Sequence, residues 1–167
     1  TVKFDTPMCR ATPSRFILQS APMVSFSGML GKMKRDGVAR HIGVSNFTVA
    51  LIEEAVGHAT EPLVNNQIEC HPYLDQAKVI AASRKRGLSV TAYSPIARGG
   101  VKSDKVLARI AKAHGKSAAQ VALRFLVQRD IVVIPRTSRI ERLSENFAIF
   151  DFALTEPEMT EIAGLAS

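Results

Sequence analysis

Ile131-Val-Val-Ile134, set between Asp130 and Pro135, is the run on which the fold turns. Four β-branched residues closed off by turn formers read as a short buried strand, not as a helix. Working back from it, Ser117–Gln128 has helical spacing and opens on a capping box, Ser117-Ala-Ala-Gln120. Ser103–His114 before it is a second helix, ending at Gly115. Leu88-Ser-Val-Thr-Ala-Tyr93 is another strand. Asp75–Arg86 is predicted as a helix with Asp75 as cap and Gly87 as stop. Leu63–Glu69 is a strand, Thr48–Ala59 a helix capped by Thr48, and Arg40–Val44 a strand. Phe26–Asp36 closes the series as a helix with Phe26, Met29, Leu30 and Met33 on one face and Gly37 as stop. Working forward, Ser138-Arg-Ile-Glu141 is a capping box for a helix to about Ala148, and Thr155-Glu-Pro-Glu158 another for a last helix through Leu165.

Short strands alternating with helices mean βα units and a parallel sheet, because parallel strands need crossovers of a dozen or more residues. The fold class is α/β. Spacing alone leaves open a doubly wound sheet or part of a (β/α)8 barrel. Residues 1–25 carry Pro7, Pro13 and Pro22 without periodicity and are read as an unassigned loop segment.

Composition bounds the function. The chain has 167 residues, 46% apolar and 22% charged, enough for one ordinary core and too apolar for a disordered chain. The longest apolar runs are four residues, so the sequence predicts no membrane span. Thr1–Arg10 lacks the apolar stretch of a secretory signal, and only Cys9 and Cys70 occur. A reducing, cytoplasmic setting is expected. Because the chain opens on Thr1, it is expected to be trimmed or incomplete there. The net charge is +7, and from Lys78 to Arg142 fifteen basic residues face only Asp104, Asp130 and Glu141. Such a field suits an anionic partner. With no Trp, and only Tyr73 and Tyr93, there is no stacking platform for nucleic acid, and a basic nucleic-acid-binding domain has no motif behind it.

In parallel α/β architectures ligands meet the C-terminal ends of the strands. Those ends carry Ser45-Asn46-Phe47, then Gln67 to Tyr73, then Tyr93-Ser94 on to Arg98-Gly99-Gly100, and then Pro135-Arg136-Thr137-Ser138 with Arg139 and Arg142 behind. A helix start capped by Ser138, with three guanidiniums around it, suits a phosphate; solvated arginines at a helix start are the other reading. Gly99-Gly100 is not a Rossmann fingerprint, Cys70-His71 has no metal-ligand spacing, and Ser94 lacks the glycines of a nucleophile elbow. No metal is expected. His41, His58 and His114 read as helix-end or surface residues.

Taken in order, these strand ends resemble the aldo-keto reductase family. The matching stretches are His41-Ile-Gly-Val-Ser-Asn-Phe47, Asn66-Gln-Ile-Glu-Cys-His-Pro-Tyr-Leu74 and Val90-Thr-Ala-Tyr-Ser-Pro-Ile-Ala-Arg-Gly99. Ile134-Pro-Arg-Thr-Ser-Arg-Ile-Glu-Arg-Leu-Ser-Glu-Asn-Phe147 and Phe150-Asp-Phe-Ala-Leu-Thr155 continue the series. The likeness runs from about Met29 to Leu165 and implies the second half, strands five to eight, of a (β/α)8 barrel that reduces carbonyls with NAD(P)H. Residues 26–167 would form that half barrel.

By position, the resemblance implies that Ser45, Asn46 and Gln67 hold the nicotinamide carboxamide and that Tyr93 stacks on its ring. Ser94, Ile96, Ala97 and Arg98 would line the pyrophosphate. Arg136, Thr137 and Arg142, with Ser138 at the same turn, would take the adenosine 2′-phosphate, and Glu145 and Asn146 the adenosine end. Arg136 stands where many members carry Lys, and its fork suits phosphate, so NADP(H) is expected over NAD(H). The family's Asp, Tyr, Lys and His catalytic set belongs to the other half; Lys3, Asp5 and His71 do not match it, and no catalytic residue is assigned in this chain. It is expected to act on a small carbonyl substrate only within a complete barrel, closed by a second copy or by an N-terminal half. A non-catalytic NADP-binding half-barrel subunit or scaffold is the alternative. Four strands cut from a barrel are expected to expose two edges and one apolar face.

Overall fold

The computed structural model describes residues 23–166. The elements run α1 (Met23–Arg35), β1 (Ile42–Ser45), α2 (Val49–His58), β2 (Leu63–Glu69), α3 (Ala77–Lys85), β3 (Ser89–Tyr93), a 3₁₀ segment (Ala97–Ser103), α4 (Lys105–His114), α5 (Ala118–Val127), β4 (Ile131–Val133), α6 (Glu141–Phe147) and α7 (Glu156–Ala163). The four strands form one parallel sheet in the order β1-β2-β3-β4.

The alternation predicted from sequence is present, and several caps fall where expected. The Thr48 side chain accepts from the Leu51 N–H, and Ser117 and Thr155 each form a complete capping box with Gln120 and Glu158. Gly115, in the left-handed region at φ 64°, ends α4 without the strain a side chain would bring. Other boundaries shift. α1 begins at Met23, inside the segment read as loop; the rest of that segment lies outside the described residues. α4 starts after Asp104, whose carboxylate accepts from the Leu107 N–H at 2.9 Å, and not at Ser103. α3 starts after Gln76; Asp75 instead accepts from the Ala77 N–H in a local turn.

The box predicted at Ser138 does not form. Thr137 Oγ1 accepts from the Arg139 N–H at 3.1 Å, a turn that competes with a helix start, and α6 begins only at Glu141. On α1, Met29 and Met33 face outward, at 57% and 37% exposure, instead of into the core.

One face of the sheet carries the core. Ile68, Val90, Ala92 and Ile131 pack with Leu107, Ile110, Val121, Phe125, Leu126 and Ile162 from α4, α5 and α7. A smaller cluster joins Val44, Phe47, Ile52, Ala55 and Leu88 under α2 and α3. The opposite face is not the apolar surface expected. Apart from the exposed Val132, it is mostly polar, with Ser45, Asn65, Gln67, Ser89 and Thr91 beside Gly43. The Asn65 amide donates to Ser89 Oγ and to Thr91 Oγ1, both at 2.9 Å. The period-2 alternation of the strands sorts apolar residues to the helix side and amides and hydroxyls to the other.

Candidate functional site

Register places the strand ends together. Ser45 pairs with Gln67, Gln67 with Thr91, Glu69 with Tyr93 and Ala92 with Val133. The loops that follow β1, β2, β3 and β4 therefore leave one edge of the sheet. Ser45 Oγ donates to the Gln67 carbonyl at 3.1 Å, and the Asn46 N–H donates to the same oxygen at 2.8 Å. The Ile134 N–H donates to the Ala92 carbonyl at 3.2 Å, so the chain leaves β4 beside β3.

A buried amide holds the first loop in place. Asn66 is fully buried; its Oδ1 accepts from the Phe47 N–H at 3.3 Å, and its Nδ2 donates to the Phe47 carbonyl at 3.1 Å and to Ser83 Oγ at 3.5 Å. The sequence reading gave Asn66 no role of its own. The available signal was three consecutive amides, Asn65-Asn66-Gln67, in a strand whose alternation puts the middle one on the helix side.

Tyr93 is the centre of the grouping. Burial and the Glu69 carboxylate push its phenol up, while a hydrogen bond with the Asn46 side chain and the Arg98 charge oppose them. Tyr93 is thus a neutral ring at neutral pH, within reach of residues from the ends of β1, β2 and β3. Glu69 is the member of this group that sequence reasoning missed; only strand register exposes it.

The loops themselves hold an unusual backbone. Five described non-glycine residues have positive φ: Asn46 (60°), Ser94 (51°), Ala97 (47°), Arg98 (54°) and Asp130 (53°). The first four follow β1 and β3. The Ala97 N–H donates to the Ser94 carbonyl and the Gly99 N–H to the Ile96 carbonyl, both at 2.8 Å, in two tight turns. Ile96 and Ala97 lean on the main core, which fixes those turns from below.

The segment after β4 differs. Arg136, Arg139 and Arg142 are exposed, and their side chains form no hydrogen bond or ion pair with a described residue. Arg86, Arg109 and Lys116, by contrast, are matched to Glu53, Glu161 and Asp151. Among the described residues no hydrogen bond or ion pair joins these three arginines to the Tyr93 group. Ser138 is exposed and caps nothing, and Thr137 is engaged by its own turn. Glu145 accepts from Ser117 Oγ at 2.7 Å through one carboxylate oxygen. Asn146 is half-buried beside it. α6 has seven residues, so the helix-start component of the predicted phosphate site is absent, and the guanidiniums alone remain.

His114 is the last residue of α4, a helix end as expected, and it is tied down there. Its Nε2 lies 2.9 Å from Glu158 Oε1, and its ring packs 5.3 Å from Phe152. Among the described residues no group of three or more His, Cys, Asp or Glu could hold a metal, and no helix is long and apolar enough to cross a membrane.

Short amide and hydroxyl donors at one end of the strand edge, a half-buried aromatic ring and exposed cations are groups of the kind that bind a phosphorylated dinucleotide. Comparison with known proteins agrees. Residues 4–167 match the profile of the Aldo/keto reductase family. The chain is 40% identical over 144 residues to a morphine 6-dehydrogenase of Pseudomonas putida, covering 78% of this chain and 49% of that protein. It is 40% identical over 136 residues to a glyoxal reductase of Bacillus subtilis (strain 168), covering 81% and 49%. Its fold superposes on the aldose reductase of Schistosoma japonicum with a TM-score of 0.84 at 34% identity, over 88% of this chain and 49% of that one. A Gox0644 mutant in complex with NADPH gives 0.82 at 31% identity, over 86% and 53%. The chain spans about half the length of these relatives. With parallel βα units, strand ends gathered on one edge and a family profile running almost end to end, the chain belongs to the aldo/keto reductase family.

Proposed function

We propose that this chain is the cofactor-holding half, strands five to eight, of an NADP(H)-dependent reductase that converts a small carbonyl compound to an alcohol. Residues 26–167 would be the half barrel, working in the cytoplasm. The observation that supports it best is the left-handed backbone at Asn46, Ser94, Ala97 and Arg98. Such residues cost roughly 1–3 kcal/mol each and persist where a ligand needs the loop shape. All four are among the residues that family position assigns to the cofactor.

A nicotinamide dinucleotide bound there would supply the hydride for the carbonyl carbon. The chain's own part is placement. Ser45, Asn46 and Gln67 offer hydrogen bonds to a carboxamide, and Tyr93 offers a flat neutral face to an aromatic ring. The turns of Ser94, Ile96, Ala97 and Arg98 lie where a diphosphate would pass. Arg136 and Arg142, with Thr137 and Ser138 between them, are free to grip a 2′-phosphate, which is the basis for NADP(H) over NAD(H). Glu145, with one oxygen uncommitted, and Asn146 would meet the adenosine.

Proton donation is assigned outside this chain. Tyr73 and Tyr93 are its only tyrosines. Burial and the neighbouring Asp104 carboxylate push Tyr73 up to about 12, and its hydroxyl is buried beside that carboxylate. Tyr93 faces the proposed nicotinamide. An acid missing from the site costs about 10²–10⁴-fold in rate. NADPH titration of the purified chain, followed by fluorescence, is expected to show saturable binding, and an aldehyde assay to show no carbonyl-dependent NADPH oxidation. Absent binding removes the cofactor assignment; turnover by the pure chain removes the half-enzyme assignment. The non-catalytic subunit shares the same residues and predicts the same pair of results for this chain alone.

A further inference from the structure

Glu69 stands at the centre of the proposed ring site, yet neither carboxamide binding nor ring stacking falls to it. It ends β2 and pairs in register with Tyr93 at the end of β3. Side chains alternate between the two faces of a sheet, so Glu69 lies on the polar open face, two residues on from Gln67 and beside Tyr93. Both Glu69 and Tyr93 are half-buried. The backbone beneath them is fixed. The Cys70 N–H donates to the Tyr93 carbonyl at 3.3 Å, and the Gln76 side-chain amide donates to the Glu69 carbonyl at 2.9 Å.

The negative charge of Glu69 is poorly matched. His71 Nε2 lies 3.9 Å from Glu69 Oε1, beyond hydrogen-bond distance. His71 Nδ1 accepts from the Tyr73 N–H at 3.3 Å, and a ring nitrogen that accepts carries no proton. His71 therefore meets the carboxylate as a neutral ring. No lysine or arginine among the described residues forms an ion pair with Glu69. After burial, this carboxylate is the largest influence raising the Tyr93 phenol, with Arg98 acting against it. Under the proposed function Arg98 lies along a diphosphate, which would cancel its charge and leave that of Glu69.

A nicotinamide ring is neutral when reduced and positively charged once its hydride has passed to a carbonyl carbon, whose oxygen takes a proton from outside this chain. A fixed carboxylate beside that ring meets the two forms unequally. We propose that Glu69 selects the oxidation state of the cofactor: its carboxylate, on the same sheet face as Gln67 and Tyr93, holds the oxidised nicotinamide more tightly than the reduced one. A charge already in place needs no rearrangement as positive charge develops on the ring, so Glu69 also favours departure of the hydride. The inference rests on the cofactor assignment made above and adds a role to it.

Calorimetric titration of the purified chain with NADP+ and with NADPH tests it. Glu69→Gln keeps the size of the side chain and removes its charge. NADP+ affinity is expected to fall about five- to tenfold, the scale of one charge pair near a wet surface, while NADPH affinity hardly changes. A tenfold change in that ratio is about 30 mV in the potential of the bound two-electron couple. Glu69→Asp is expected to keep the wild-type ratio. 2′-Phospho-ADP-ribose, which has no nicotinamide, is expected to bind wild type and Glu69→Gln equally. Should Glu69→Gln lose that ligand too, His71→Lys replaces it as the test: a cation set against the carboxylate is expected to lower the NADP+ to NADPH affinity ratio in the same direction. An unchanged ratio, an equal loss for both nucleotides, or the same change in Glu69→Asp would overturn the role of Glu69 and leave the cofactor assignment intact. A wild-type chain that binds neither nucleotide would remove the cofactor assignment, and this inference with it.

Discussion

The edge formed by β1, β2 and β3 and the segment that follows β4 hold the two ends of one proposed ligand, and they are built in opposite ways. At the first, the Gln67 carbonyl receives two hydrogen bonds, Asn66 clamps Phe47 from both sides, and Tyr93 sits among Asn46, Glu69 and Arg98. At the second, three arginines extend into solvent from a turn and a seven-residue helix with no buried side chain. Preorganised groups place a ligand, whereas mobile exposed charges contribute attraction but little geometry. Under the proposed function, the strand edge would fix where a nicotinamide lies, and the arginines would set how strongly a phosphorylated end is held.

The largest effect expected from breaking this contrast is at Asn66. Asn66→Leu keeps the volume and leaves the Phe47 N–H and carbonyl buried without partners. Unsatisfied buried groups cost about 1–3 kcal/mol each, so urea melts are expected to lose about 2–4 kcal/mol of stability, with NADPH binding weakened as the Ser45-Asn46 loop loosens. A melt within about 0.5 kcal/mol of wild type, the range of ordinary surface changes, would show that the loop is not held by this amide.

Arg136→Ala should do the reverse. Its side chain is exposed and makes no hydrogen bond or ion pair with a described residue, so stability is expected to stay within about 0.5 kcal/mol. NADPH affinity is expected to fall about tenfold, in line with the loss of about 1.4 kcal/mol from a charge-assisted contact. NADH affinity should hardly change, which sharpens the assignment to the 2′-phosphate. An equal loss for both nucleotides would move Arg136 to the diphosphate.

The same contrast explains what the sequence disclosed. β2 was legible residue for residue because an apolar and amide alternation and a following turn bound it on both sides. The boxes at Ser117 and Thr155 were legible because both reciprocal hydrogen bonds form. Ser138-Arg-Ile-Glu141 has the same pattern and fails, because Thr137 one residue earlier captures the Arg139 N–H; a four-residue pattern does not register a competitor just outside it. The positions of Ser45, Gln67 and Tyr93 at strand ends could be read from the alternation, but Glu69 beside Tyr93 and Asn66 under Phe47 depend on register between strands. The polar open face was missed for the same reason: which face of a strand is covered is a property of the sheet, and alternation alone does not say which side the helices take.

The smallest expected effect lies far from the ligand, where a helix cap and a cross-link share one carboxylate. Glu158 Oε2 accepts from the Thr155 N–H at 2.7 Å, and Oε1 lies 2.9 Å from His114 Nε2. Burial is the largest single influence and pushes Glu158 up, but the Thr155 N–H, His114 and the Thr155 hydroxyl together outweigh it and hold the carboxyl below its usual value of 4.5. A carboxylate with a lowered folded pKa contributes stability that is fully present above the unfolded value and is lost as pH falls through the folded one. The contribution is therefore intact at pH 7 and fades below about pH 4.5. Glu158→Gln keeps an acceptor for the cap but not the charge, and is expected to cost about 1 kcal/mol at pH 7, the scale of one cap. From pH 7 to pH 3 the gap should narrow, because the wild-type carboxyl takes up its proton as pH falls through its lowered folded value. A gap of the same size at both pH values would mean that shape, not charge, ties α7 to α4, and His114 would then be packing against Phe152 without holding the carboxylate.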